Sequence, residues 1–347
     1  MTNRREFLLG AGAVAAGTGV LSAQAVELDP KVREAGKLIV KQAGMPITGT
    51  FLDEISDDIP HQNWGAKEWD ADFRHMKAIG IDTVIMIRCG IRNFITYPSK
   101  HLMAQGCYQP SVDLLELFLS LSDKYSMKFF FGLFNPLKGF DDYVEENKYV
   151  IEEVSKGYMH HASFAGWYIS SEIGRKVPGC IEGINRMGRD CKAASGGKPT
   201  FISPWIDGRK AVAASSQKLY KEKGVTLTDH EREWAEILDG IHESVDYCAF
   251  QDGHLDYNQL DEFFAANKRL CDKVGMRCWM NAESFDRDMP IKFLPTKFDK
   301  LRLKLEAAAR CGLDKAITFE FSHFMSPQSV YSAAGNLYNR YREYFGI

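Results

Sequence analysis

The chain has 347 residues, a formal net charge of −3 and a pI of about 6.3, with 45 % hydrophobic and 26 % charged residues. That is a globular composition with ample length for a large core. It carries no block rich in lysine and arginine, which excludes the electrostatic footprint of a nucleic-acid binder.

The N-terminus carries a paired arginine, Arg4-Arg5, followed by Phe7-Leu8, a weakly apolar run of alanine and glycine, and Ala23-Gln24-Ala25. This is the pattern of a twin-arginine export signal with an A-x-A cleavage site. The apolar stretch is too short and too glycine-rich to read as a membrane span. The expectation is a signal over residues 1–25, a leader segment over 26–45 and one domain over 46–347. The mature protein is then periplasmic or extracellular, with no stable membrane anchor after cleavage. Eight cysteines are present, none in C-x-x-C spacing or beside spaced histidines, so zinc-ribbon and iron–sulfur readings fail. Cys248 and Cys278 sit in apolar runs and read as small hydrophobes.

From residue 47 onward, short apolar runs alternate with amphipathic segments. The runs cover 47–54 (ITGTFLDE), 81–88 (IDTVIMIR), 128–135 (KFFFGLFN), 164–172 (FAGWYISSE), 198–207 (KPTFISPWID), 245–252 (VDYCAFQD), 276–283 (MRCWMNAE) and 315–323 (KAITFEFSH). The segments between them have helical spacing. Several open on Asp, Ser or Thr and several close on Gly, as helix ends prefer. Eight strand–helix units predict an α/β fold of the (β/α)8, or TIM-barrel, class in a single domain. The alternative, an open doubly wound sheet, lacks its G-x-G-x-x-G after the first strand. Two connections are long, 89–111 and 208–228, and both fall on the face where such barrels hold their active sites.

Each predicted strand ends on polar residues. In order these are Asp53 and Glu54, Arg88, Asn135, Glu172, Asp207 (after Trp205), Gln251 and Asp252 (before His254), Asn281 and Glu283, and Glu320 with His323. With side chains alternating in period two, Glu172 shares a face with Ser170, Tyr168 and Gly166, and Glu283 shares one with Asn281 and Trp279. The fourth and seventh strands stand across a barrel mouth from each other. Two carboxylates so placed suit glycosidic-bond cleavage, which needs an acid for the leaving oxygen and a second carboxylate as nucleophile or base. Arg88 reads as a partner for a carboxylate. Glu54, Asn135, Asp207, Gln251, Asp252, Asn281, Glu320 and His323 read as substrate-binding groups, and Trp205 as a platform for a sugar ring.

This arrangement resembles the large group of barrel glycosidases with catalytic glutamates on strands 4 and 7. More closely, the stretches ITGTFLDE, GWYISSEI, ISPWIDGR, FQDGH, WMNAESF and FEFSHFMSP resemble a bacterial family of glycosidase-like barrels labelled a domain of unknown function (4434). The resemblance implies Glu172 as acid/base and Glu283 as nucleophile, and the first reading is a retaining glycoside hydrolase that needs no cofactor and acts on an extracytoplasmic glycan. Those glycosidases often carry Asn immediately before the acid/base, to hold a sugar 2-hydroxyl. This chain departs from them with Ser171. Two other readings use the same residues. One is a metal-dependent sugar isomerase or epimerase with ligands from Glu172, Asp252, His254, Glu283 and Glu320. The other is a barrel that binds glycan without turning it over.

Overall fold

The computed structural model describes residues 43–56, 59–211, 220–221, 223–287, 289 and 293–347. The expected signal over 1–25 lies outside them, as does most of the leader over 26–45. Eight parallel strands close a barrel: β1 (Ile47–Leu52), β2 (Thr83–Met86), β3 (Lys128–Gly132), β4 (Phe164–Tyr168), β5 (Thr200–Ile202), β6 (Tyr247–Gln251), β7 (Arg277–Glu283) and β8 (Lys315–Phe319). Each pairs with its sequence neighbours, and β1 pairs with β8 through Thr50↔Thr318 to close the ring. The helices that follow the strands are α1 (Ala66–Ala78), α2 (Leu114–Tyr125), α3 (Phe140–Gly157), α4 (Cys180–Ala194), α5 (Leu227–Ile241), α6 (Leu260–Lys273), α7 (Phe298–Arg310) and α8 (Ser332–Phe345). The (β/α)8 expectation is met. No helix among the described residues is long and apolar enough to cross a membrane.

Period two decides what fills the barrel. Phe51, Ile85, Phe130, Tyr168, Phe201, Ala249, Trp279 and Ile317, one from each strand in order, belong to one buried cluster. Its aromatic members interlock: Tyr168 stacks on Phe201 at 4.6 Å, and Phe130 meets Phe201 edge-on at 5.4 Å. Such contacts add about 0.5–1.5 kcal/mol each beyond burial. The intervening residues face the helices. Trp167, for example, donates its indole N–H to Ser195 Oγ at 3.0 Å. None of the eight cysteines is in a disulfide.

The strands stop earlier than the apolar runs do. β4 ends at Tyr168, so Glu172 lies in the following loop rather than on the strand. There Ser170 Oγ donates to the carbonyl of Leu133 and meets Tyr143 Oη at 2.7 Å, replacing ladder bonds with side-chain bonds. β8 ends at Phe319, and the Glu320 carboxylate instead accepts the His323 N–H at 2.9 Å, capping the short helix Phe321–Phe324. The connection after β2 folds into a hairpin, Gly90–Ile91 against Phe94–Ile95, and the helix Lys100–Ala104. Of the connection after β5, residues 212–219 and 222 lie outside the described set. A third excursion, after β7, pairs Phe285–Asp286 with Leu294–Pro295. Sequence periodicity did not single it out.

Glycine is required where β3 meets β2. A Cβ on Gly132 would lie 2.2 Å from the carbonyl oxygen of Met86, which is backbone and has no room to yield. Gly132→Ala is expected to destabilise the barrel by about 1–3 kcal/mol, the usual cost of overpacking, or more. Denaturant unfolding checks this, and an unchanged midpoint would refute it.

Candidate active site

The C-terminal ends of the strands surround a cavity of about 280 Å3. Its polar lining includes Arg88, Tyr168, Glu172, Gln251, Asn281, Glu283 and Arg287, and its apolar wall includes Phe51, Ile59, Phe285, Phe293 and Phe319.

Glu283 is the last residue of β7 and is only 2 % exposed. Arg287, four residues later in the third excursion, grips it with Nε to Oε2 and Nη2 to Oε1, both at 2.6 Å. The backbone of Glu283 is held as well. Asp252 Oδ1 accepts its N–H at 3.2 Å, and the buried Lys304 of α7 donates to its carbonyl and to Asp252 Oδ1, each at 2.9 Å. Burial raises the pKa of Glu283, but the charge and hydrogen bonds of Arg287, with Lys304 and His254, outweigh burial and hold it below the usual carboxylate range. His254 itself is lowered to about 4 by burial and by the charge of Arg287.

Glu172 has the opposite balance. Its side chain remains 40 % exposed, yet it stands in a concave wall with protein on several sides. The resulting loss of solvation raises its pKa against the pull of Arg88 and Arg287, and Asp53 and Glu283 add to the rise. Arg88, just past β2, lies 3.6 Å from Glu172 Oε1. Burial works against the charge of Arg88, but Glu172 and Asp53 more than restore it.

Three buried polar atoms on residues lining this cavity have no partner among the described residues: Tyr168 Oη, Arg88 Nε and Asn281 Oδ1. Buried groups of this kind are normally satisfied, which sets these three apart from the paired groups around them. Gln251 and Asn281 are fixed from behind, donating to Ser203 O at 2.8 Å and Ser203 Oγ at 3.1 Å.

The cavity thus gathers Glu172, Glu283, Arg88, Gln251 and Asn281, with Asp252 directly behind. It does not gather the others. Glu320 is fully buried against His323, whose pKa rises to about 9 because the carboxylate outweighs the cost of burial. Glu54 stands beside them, accepting the Gln62 N–H at 3.4 Å, and burial raises its pKa. Trp205 and Asp207 line a neighbouring hollow, where Asp207 pairs with Lys221 at 3.0 Å and Arg175 at 3.6 Å. Asn135 Oδ1 accepts the Leu137 N–H at 2.9 Å. The five suggested metal ligands do not converge, because Glu283, Asp252 and Glu320 are already engaged by Arg287, Lys304 and His323. Among the described residues, the cluster with three donor atoms within 4.8 Å of one another is Glu116, His160 and His161, outside this cavity.

Sequence reasoning missed Arg287, Lys304, Gly253 and the hydroxyl of Tyr168. Only Tyr168 had a signal, its shared face with Glu172. Gly253 matters because a Cβ there would fall 1.8 Å from Glu283 Oε2. The glycine is the wall behind the carboxylate. Gly253→Ala is expected to retain a cooperative thermal transition while pushing Glu283 off Arg287, with a loss of turnover of about a hundredfold. Full turnover in a folded Gly253→Ala variant would show that the carboxylate position does not matter.

A family model described as a domain of unknown function (DUF4434) matches residues 47–331. A solved structure from Bacteroides thetaiotaomicron VPI-5482, named a "putative alpha-L-fucosidase", shares 64 % identity, covers 90 % of this chain and 99 % of its own, and superposes with a TM-score of 0.86. Two more distant barrels match the fold. A β-galactosidase from the haloarchaeon Halorubrum lacusprofundi has 12 % identity, coverage of 87 % and 58 %, and a TM-score of 0.55. A β-galactosidase from Marinomonas ef1 has 11 % identity, coverage of 81 % and 54 %, and a TM-score of 0.51. The curated proteins gave no match.

Proposed function

We propose, from the premise that this chain belongs to the DUF4434 family, that it is a retaining glycoside hydrolase exported to the periplasm or cell exterior, with Glu172 as acid/base and Glu283 as nucleophile. One observation carries the reading: two carboxylates line one cavity, and their surroundings move their pKa values in opposite directions. Such a split assigns a proton to one group and leaves the other ionised. The name and 64 % identity of the Bacteroides protein support the same reaction class.

Glu172 as the acid donates its proton to the glycosidic oxygen while the bond from that oxygen to the anomeric carbon breaks. A carboxylate oxygen of Glu283 bonds to that carbon. Glu172, now ionised, then takes a proton from water, whose oxygen attacks the same carbon and releases Glu283. Covalent attack suits Glu283 better than activation of a water does. A carboxylate with a lowered pKa is a poor base, and one held from both sides is well aimed. A cavity of about 280 Å3 lies just under the range of about 300–1,000 Å3 typical of drug-sized ligands, which favours one terminal sugar ring. The apolar wall of Phe285, Phe293, Phe319 and Ile59 suits the methyl group of a 6-deoxyhexose, so an α-L-fucoside is the first substrate to try.

Substituting Glu172→Gln is expected to cost about 10²–10⁴-fold in turnover of substrates with poor leaving groups. With a 4-nitrophenyl glycoside, KM falls along with kcat, and added azide restores the rate. Glu283→Gln abolishes turnover. NMR of the first-formed product reads retention directly. Inversion, or normal activity in either variant, would defeat the assignment.

Activity requires Glu283 ionised and Glu172 protonated. The kcat/KM profile is therefore expected to be bell-shaped. Its acid limb lies below the ordinary carboxylate range, set by Glu283, and its alkaline limb lies above that range, set by Glu172. Activity falls as pH rises through the Glu172 value. An alkaline limb at an ordinary carboxylate pKa would contradict the role given to Glu172.

A further inference from the structure

Glu172 lines two spaces. The inner one is the cavity it shares with Glu283. The outer one, of about 550 Å3, is enclosed by the loop after β3, the start of α3 and the loop after β4. Glu172 and Leu137 are the residues common to both linings, so they form the divide between them. Leu137 is built for that position. Its backbone lies in the left-handed region, at φ 55°, a cost for a residue with a Cβ, and its apolar side chain stays 52 % exposed. Asn135 holds the turn by accepting the Leu137 N–H.

The outer lining is largely apolar, with Phe140, Ile173, Val177 and Pro178, and it includes Ser171. Ser171 Oγ is buried and has no partner among the described residues. The ring of Phe140 is seated against α4, where a Cβ on Gly183 would come within 2.3 Å of it, so the ring is backed by backbone.

We infer that the outer hollow is the leaving-group subsite, taking the ring attached through the scissile oxygen with its apolar face on Phe140. This rests on the hydrolase reading above. The geometric argument is direct: an acid that protonates the oxygen between two rings must stand between the two places the rings occupy. Glu172 is the carboxylate that does so here, with Glu283 on the inner side alone. The serine before Glu172 lines the outer space and not the inner one.

Matched pairs of substrates test this: the 4-nitrophenyl glycoside and the glycosyl fluoride of one sugar, first α-L-fucose, then β-D-galactose. Fluoride is too small to reach the outer hollow, whereas a nitrophenyl ring fills it. Phe140→Ala removes the ring contact, and Val177→Trp, in the loop after β4, blocks the hollow, with a cooperative thermal transition required of both variants. For both variants the ratio of kcat/KM on the nitrophenyl substrate to that on the fluoride should fall about three- to tenfold, the worth of one aromatic contact. Hydrolysis of both substrates with an unchanged ratio in Val177→Trp overturns the subsite and leaves the hydrolase reading standing. Absence of Glu283-dependent turnover of either sugar by the wild type overturns that reading and the subsite with it.

Discussion

A carboxylate that is almost wholly buried stays ionised only if positive charge and hydrogen bonds replace the water it has lost. At Glu283 the replacement is complete, and much of the neighbouring structure exists to supply it. Arg287 meets both oxygens. Lys304 reaches across from α7 to fix the backbone beneath the carboxylate, and Asp252 ties Lys304 to the Glu283 N–H. Gly253 gives the carboxylate its space. The excursion after β7 is therefore part of the site, since it carries the arginine that makes a buried glutamate tolerable. Removing one member would leave a charge unpaired in a place with little solvent, a loss of several kcal/mol in comparable buried pairs.

The barrel beneath supplies the other constraint. One residue from each strand fills its interior, and five of these are aromatic rings that close the floor under the cavity. With that floor fixed by period two, the next residues inward along the same strands are the ones that reach the mouth: Asn281 and Glu283 above Trp279, and Gln251 above Ala249. The polar rim is thus a consequence of strand register. Tyr168 belongs to both layers, its ring packed on Phe201 and its hydroxyl at the cavity wall without a partner among the described residues.

What the sequence made legible follows from that register. Alternation in strands 4 and 7 identified the faces of Tyr168, Asn281 and Glu283 because an error of one residue would have exposed an aromatic row. It overran at the strand ends. The apolar stretch through Ile169 and the pair Phe319–Glu320 look like strand, but the ladder stops once Ser170 and the Glu320 carboxylate offer the backbone other partners. Arg287 lies in an excursion with no period to read, and Lys304 sits on a helix where a lysine ordinarily faces water. The closeness of Gly253 to Glu283 is a fact of packing that local pattern does not encode.

Two strand-end glutamates show how such residues divide. Glu283 ends β7 and Glu320 directly follows β8, and each is buried and paired with a cation a few residues on. The arginine holds Glu283 below its ordinary pKa, whereas burial raises Glu320 despite His323. More decisively, Glu283 lines the cavity, while Glu320 turns to cap the helix after β8. Burial and pairing alone therefore do not mark a functional carboxylate. What separates the two is position: Glu283, its charge met by Arg287, still faces an open space at the end of β7, whereas Glu320, just past β8, does not.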